Sequence, residues 1–472
     1  MDADALIMSA YFGLALALAL ACVLIFGLSL NIEKSWRSWI VPMIYPIIIF
    51  SIGISTALSG RHIDREYFST AVALGESAGG AGSSWILRLG SLAIVGLCLV
   101  RIFASVNIKE NKTDGMFALI FWFMAFHLTN YLFSAIFGTH PNFNYKYMYA
   151  VLVFLAVYMS RQNGYQITIK SVKVSLLIFF ILTFMAVVAM PSLVIDSSYD
   201  AGLLGLKYRL WGLVAHANNL APLGLLLLAL TLNQPFSSKA LNRISCVTAM
   251  VIMLLAQSKT TWLVAIIVIP IQLYYKRNNH AEKSAKNLKY QTTLLYLSAI
   301  SILIAVLLIA IMVSNLENGW LESVNLDHFL TFTGRDRIWT VAISEWKKNI
   351  LFGYGPTIWD TEFRKLIGMN YAATAHSQFF QSLSMAGSLG FAGMVIYLIV
   401  LGKFSISARH QTAGLSLGIF LILFFRCFTE TPLVTGYIMA AEIVGHLLLF
   451  HICVAYSYDQ QSSTTELSPD DA

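Results

Sequence analysis

Four polar stretches lie far apart in an otherwise apolar chain: residues 209–216, 258–260, 333–376 and 426–430. Their residue types suit one chemistry. Arginine binds phosphate through a rigid fork of donors and stays charged inside a protein. Arg209, in Arg209-Leu-Trp-Gly212, and Arg335 therefore suit a diphosphate leaving group, since no carboxylate cage for Mg²⁺ is evident. Either can equally be a charge snorkelling to lipid headgroups, and Arg337 faces the same alternatives. Lys259, flanked by Ser258, Thr260 and Thr261, reads as a second phosphate contact or as an end-of-helix anchor. Arg426 precedes Glu430 by four residues, the spacing of an ion pair on one helix face, and such a pair could orient the site. His376 is the candidate for acid–base work. It follows Ala372-Ala-Thr-Ala375 where apolar sequence resumes. Histidine takes a proton from a hydroxyl near neutral pH, and one positioned base is worth about 10²–10⁴ in rate. Placement alone is no proof, because His127, His216, His446 and His451 also lie in apolar sequence.

The elements that must hold these residues are membrane helices. The 472 residues are 57% hydrophobic and only 12% charged, with a mean hydropathy of +0.70, against about 25% charged in soluble domains. The chain therefore reads as an all-α polytopic membrane protein of about 12–13 spans. Candidate spans are 5–30, 38–58, 85–106, 115–137, 144–160, 171–190, 213–232, 243–257, 260–275, 291–314, 382–402, 411–429 and 433–457. The first has no basic residue before it and no cleavage pattern after it, so it is expected to be retained. The pair 243–257 and 260–275 reads as interrupted around Gln257-Ser258-Lys259-Thr260. Residues 1–314 and 382–457 form the membrane frame, 315–381 a large loop, and 458–472 a polar, disordered tail. The five cysteines (Cys22, Cys98, Cys246, Cys427, Cys453) show no ligand spacing, so neither a metal site nor a disulfide framework is expected. Alternate loops carry Lys and Arg and are assigned to the cytoplasm, which places the large loop outside. The outer loops break that bias with Lys207, Arg209, Lys259 and the cluster from Arg335 to Lys365, so an anionic partner is expected there.

Within the large loop two helices are expected. Thr333 caps the first in capping-box form. Its apolar face (Ile338, Ala342, Trp346) is expected to lie on the outer leaflet, with Glu345, Lys347 and Lys348 turned elsewhere. Gly353-Tyr-Gly355-Pro356 breaks it, and residues 357–367 form the second, ended by Gly368.

Five motifs in order carry a family resemblance: Arg209-Leu-Trp-Gly with His216-Ala-Asn, Ser258-Lys-Thr, Gly334-Arg335 to Trp339, Gly353-Tyr-Gly355, and His376-Ser377 with Gly387-Ser-Leu-Gly390. Together they resemble the bacterial O-antigen ligase and polymerase superfamily over about residues 200–430. The resemblance implies a helical, membrane-embedded glycosyltransferase. Such a protein moves a glycan from undecaprenyl diphosphate to an acceptor hydroxyl on the periplasmic side, inverting the anomeric centre, with no nucleotide sugar, no obligatory metal and no cofactor. It implies that His376 activates the acceptor and that Arg209, Arg335 and Lys259 hold the diphosphate. His216, Arg337, Arg426 and Glu430 would support them. One departure is that His376 is followed by Ser-Gln and the loop carries Gly-Tyr-Gly-Pro-Thr-Ile-Trp359, which looks more like the exopolysaccharide-polymerase branch than the lipid A-core ligases. The expected activity is polymerisation of exopolysaccharide or O-antigen repeat units in the bacterial inner membrane; ligation to lipid A-core is the alternative. Expected partners are the lipid-linked oligosaccharide, an acceptor glycan or lipid A-core, the bilayer, and chain-length or export proteins, but not nucleic acid. A lipid-linked-sugar flippase fits less well, because the candidates gather at one face and no duplicated half is visible. A non-catalytic assembly subunit would not need His376.

Overall fold

The computed structural model describes residues 34–63, 81–105, 114–161, 164–197, 199, 208–281, 335–370 and 372–465. A backbone crossing hydrocarbon must satisfy its own hydrogen bonds, and apolar runs of this length do so as helices. The first group is α1 (Lys34–Ala57), α2 (Ala81–Ser105) and α3 (Asp114–His127). A π-helical turn (Leu128–Phe133) and the short α4 (Ser134–Phe137) continue α3. Next come α5 (Tyr147–Tyr158), α6 (Gln166–Ala189) and α7 (Pro191–Val194). Two short strands, β1 (Ile195–Asp196) and β2 (Arg209–Leu210), pair antiparallel. Then follow α8 (Ala217–Asn233), α9 (Lys239–Ala256) and α10 (Lys259–Ala281). The loop helices are α11 (Arg335–Lys348) and α12 (Thr361–Leu366). The last three are α13 (Gln378–Ser407), α14 (Leu415–Thr429) and α15 (Glu442–Thr465). Six helices among the described residues are long and apolar enough to cross a membrane, and four shorter apolar helices accompany them.

Every expected span that falls on described residues coincides with a helix. Those at 5–30 and 291–314 lie outside the described residues, as do Lys207, Cys22 and the Thr333 cap. Two expected boundaries need correction. The tail was expected to be disordered from residue 458, but the backbone of α15 stays helical to Thr465. The second loop helix was expected over 357–367; it begins only at Thr361, because Asp360 caps it by accepting from Phe363 N at 2.9 Å.

α8 is the hub. Thirteen of its seventeen residues are buried, as a helix apolar on all sides must be. It packs on α6, α9, α10, α14 and α15. Its neighbours come in antiparallel hairpins. α9 returns from α8, and Gln257, in the left-handed conformation at φ 48°, turns the chain into α10.

α13 is broken at Gly387, whose φ of 64° and ψ of −164° are non-helical. A break in a membrane helix frees backbone groups that need partners. The loop supplies them. Tyr354 N donates to Ser384 O at 2.8 Å and Gly355 N to Met385 O at 2.9 Å, while Ser388 N donates to Ile350 O at 2.8 Å. On its other edge the same strip receives Thr139 N at Gly353 O and His140 N at Tyr354 O. The large loop is thus threaded between α4 and the two halves of α13.

The loop also builds a second small core. Ile338, Ala342, Tyr354, Ile358, Trp359, Phe363 and Met369 pack with Tyr131 of the π-turn and Met385 of α13. Ile338 and Ala342, expected to face lipid, instead face this core. Glu345, expected off the apolar face, is also buried, with Lys348 donating to it at 2.7 Å.

Candidate active site

Five helix ends meet at one face: the starts of α8, α10 and α13 and the ends of α9 and α14. Arg209, on β2, donates from Nε to Ala256 O at 3.0 Å, the last residue of α9. Its Nη2 donates to Asn218 Oδ1 at 2.6 Å. Tyr199 lies against the guanidinium, 4.7 Å from ring centroid to Cζ. Asn218, in the first turn of α8, turns its amide nitrogen to Glu430 Oε1 at 2.6 Å. Arg335, the first residue of α11, reaches the same oxygen from Nη2 at 3.3 Å while its Nη1 donates to Thr429 O at 2.9 Å. The other carboxylate oxygen, Oε2, faces His376 Nδ1 at 3.3 Å. One unbroken polar network therefore joins Arg209, Asn218, Glu430, Arg335 and His376.

The loop that carries Arg209 is held from an unforeseen quarter. Arg61 is buried and donates to Leu193 O at 2.9 Å, Val214 O at 2.7 Å and Gly212 O at 2.6 Å. Gly212 needs its φ of 62°, and a Cβ there would meet Thr183 at 2.9 Å. His216 caps α8, its Nδ1 accepting from Asn218 N at 3.1 Å. Burial, and then the charge of Arg209, lower this imidazole to about 3, so it is neutral at physiological pH.

Lys259 opens α10 close enough to Arg209 for their charges to repel. Arg426 does not pair with Glu430 as the i, i+4 spacing predicts. α14 ends at Thr429, and Glu430 is extended at φ −151°, ψ −176°, which takes its carboxylate off the helix face. Arg426 instead donates to Asn218 O at 3.1 Å and Asn219 Oδ1 at 3.3 Å. Arg337 is exposed on α11 and makes no hydrogen bond or ion pair among the described residues. The structure brings Arg209, His216, Lys259, Arg335, His376, Arg426 and Glu430 to one face, gives Arg426 partners other than the Glu430 its spacing suggests, and leaves Arg337 outside the network. Asn218 and Arg61 were missed: a neutral amide gives no charge signal, and Arg61 is one of several charges in a polar loop with Asp64, Arg65 and Glu66.

His376 itself is strained, since a φ of 47° is uncommon for a residue with a Cβ. The conformation is held on both sides. Ala375 N donates to Gln381 Oε1 at 2.9 Å, Trp339 Nε1 to Ala375 O at 3.0 Å, and Ser377 Oγ to Cys427 O at 3.3 Å. Such strain collects at functional sites. Burial alone would raise the Glu430 carboxyl, but the His376 hydrogen bond and the charges of His376, Arg335 and Arg426 outweigh it and hold it down at about 2. Among the described residues no group of three or more His, Cys, Asp or Glu could hold a metal ion. The face offers cations for an anion, and an imidazole for a proton, within one network.

Residues 244–398 match the family model described as O-antigen ligase. The match includes Lys259, Arg335 and His376 and leaves Arg209, Arg426 and Glu430 outside it. A comparison with curated proteins finds no match.

Proposed function

We propose, on the match of residues 244–398 to the family model described as O-antigen ligase, that the chain is a membrane glycosyltransferase that takes its glycan from undecaprenyl diphosphate. The observation that carries the reading is the network itself, in which Arg209, Arg335 and His376 share Glu430 and Asn218. The diphosphate of the donor lies among Arg209, Arg335 and Lys259. The acceptor O–H gives its proton to His376 as its oxygen bonds the anomeric carbon. The anomeric C–O bond breaks on the far side, and the electron pair leaves with the diphosphate. Preorganised cations stabilise the charge that develops there. By the distribution of loop charge this face is periplasmic.

The acceptor is the growing end of an exopolysaccharide or O-antigen chain. Transfer to lipid A-core is the second reading, favoured by the ligase description of the matching family. Glycan analysis of a deletion strain separates the two. Single repeat units on lipid A mark a lost polymerase, and long chains stranded on the carrier mark a lost ligase. The test of the chemistry is His376→Ala in membranes supplied with lipid-linked oligosaccharide. We expect product formation to fall about 10²–10⁴-fold at equal protein abundance. Near-native product from equally abundant protein would overturn the assignment.

A further inference from the structure

Glu430 touches more of the site than any other side chain described, yet it has no part in binding or bond formation as set out above. Its Oε1 takes Arg335 and Asn218, and its Oε2 faces His376 Nδ1 at 3.3 Å. We infer that Glu430 is a positioning residue that fixes the tautomer of His376, so that Nε2 carries the lone pair that receives the acceptor's proton. This rests on the glycosyl-transfer reading and adds to it.

The donors and acceptors around the ring decide which nitrogen carries the hydrogen. A carboxylate can only accept, and Glu430 is ionised at neutral pH. The hydrogen between Oε2 and Nδ1 must therefore sit on Nδ1. In the neutral ring the remaining lone pair is then on Nε2, which has no hydrogen bond among the described residues. The geometry suits the task, because the two residues come from different helices. Ser377 caps α13 and Glu430 ends α14, and a run of 54 residues separates the paired side chains. Glu430 is held in turn. Asn218 donates to it, and Leu433 N, three residues on, donates to Gln378 Oε1 at 3.0 Å beside His376. The negative charge also stabilises the imidazolium formed when the proton arrives, and Glu430 itself takes no proton.

The charged and titratable groups facing this pair are Arg335 on α11, Arg209 on β2, His216 before α8, Arg426 on α14 and Glu442 at the head of α15. None of them is replaced in Glu430→Gln, which keeps the side chain's size and loses its charge. In that variant either ring nitrogen can carry the hydrogen, because an amide both donates and accepts. The experiment compares wild type, Glu430→Gln, His376→Ala and the double variant as purified protein in nanodiscs. It measures kcat across pH and the binding of undecaprenyl diphosphate alone. We expect kcat to fall about 10²–10⁴-fold, the acidic limb of the rate profile to move to lower pH, and diphosphate binding to hold or tighten. We also expect the double variant to be no slower than His376→Ala, since the two residues act as one unit. Turnover within twofold of wild type in Glu430→Gln would overturn the inference. So would equal losses of kcat and diphosphate binding with an unmoved pH profile, because Glu430 would then serve only to anchor the arginines. If His376→Ala stays active, it is the glycosyl-transfer assignment itself that fails.

Discussion

At the scale of the residue, two arginines two residues apart have opposite standing. Arg335 uses both ends of its fork, one on Thr429 O and one on Glu430, whereas Arg337 is exposed and outside the network. A lysine in place of Arg335 keeps the charge but cannot span both acceptors. Losing one charge-assisted hydrogen bond costs about 1.5–3 kcal/mol, so Arg335→Lys is expected to lower turnover about tenfold to a hundredfold. Arg337→Ala should stay within about twofold of wild type. A kinetic comparison at matched abundance checks both; equal effects would mean that neither fork geometry nor placement matters. Part of this was legible in the chain: Arg and His of these types stand at the edges of apolar stretches, where the proposed phosphate and proton chemistry needs them, but nothing in the sequence separates Arg335 from Arg337. The partner of Glu430 was not legible, because the i, i+4 rule presumes a helix that continues, and α14 stops one residue too early.

At the scale of the element, the glycines that serve as a family signature have a mechanical explanation. Gly387 breaks α13 so that the strip from Ile350 to Gly355 can hydrogen-bond across the gap. A Cβ at Gly387 would stand 2.4 Å from the Leu351 carbonyl carbon, and one at Gly353 would stand 2.6 Å from Gly387 N. Both clashes are with backbone, which cannot swing aside, and both positions have positive φ. Gly387→Ala and Gly353→Ala should therefore deplete folded protein in the membrane. Gly96→Ala, where an added Cβ meets nothing within 4 Å, should leave abundance unchanged. Fluorescence-detected size exclusion of tagged variants reads this directly, and equal abundance of Gly387→Ala and Gly96→Ala would refute the strut. The sequence announced a break at Gly353-Tyr-Gly355 but could not show what this strip touches, since its partners lie in α13 and just after α4. The π-turn packed on α13 through Asn130 and Gly390, at 2.8 Å, left no signal in hydropathy at all.

At the scale of the molecule, antiparallel helices make the site. α8, α10 and α13 start at the face where α9 and α14 end, so residues far apart in sequence arrive together. The spans were legible because hydrocarbon leaves the backbone few alternatives to helix. Loop charge bears on which side the site faces. Lys403 and Arg409 lie toward the far end of α13 and the turn beyond it, with Lys239 and Arg243 in the first turns of α9, so the basic turns and the Arg209–His376 face are at opposite ends of the same helices. Positive charge favours the cytoplasm for those turns, which is why the proposal puts the network face outside. Single cysteines test this in a background with Cys22 and Cys246 replaced by serine; Cys98, Cys427 and Cys453 are buried. Lys347→Cys, exposed on α11, should react with an impermeant maleimide in intact spheroplasts. Gln411→Cys, exposed in the turn before α14, should react only after permeabilisation. The reverse pattern would put the cations and His376 on the cytoplasmic side, where a donor already carried across the membrane could not reach them.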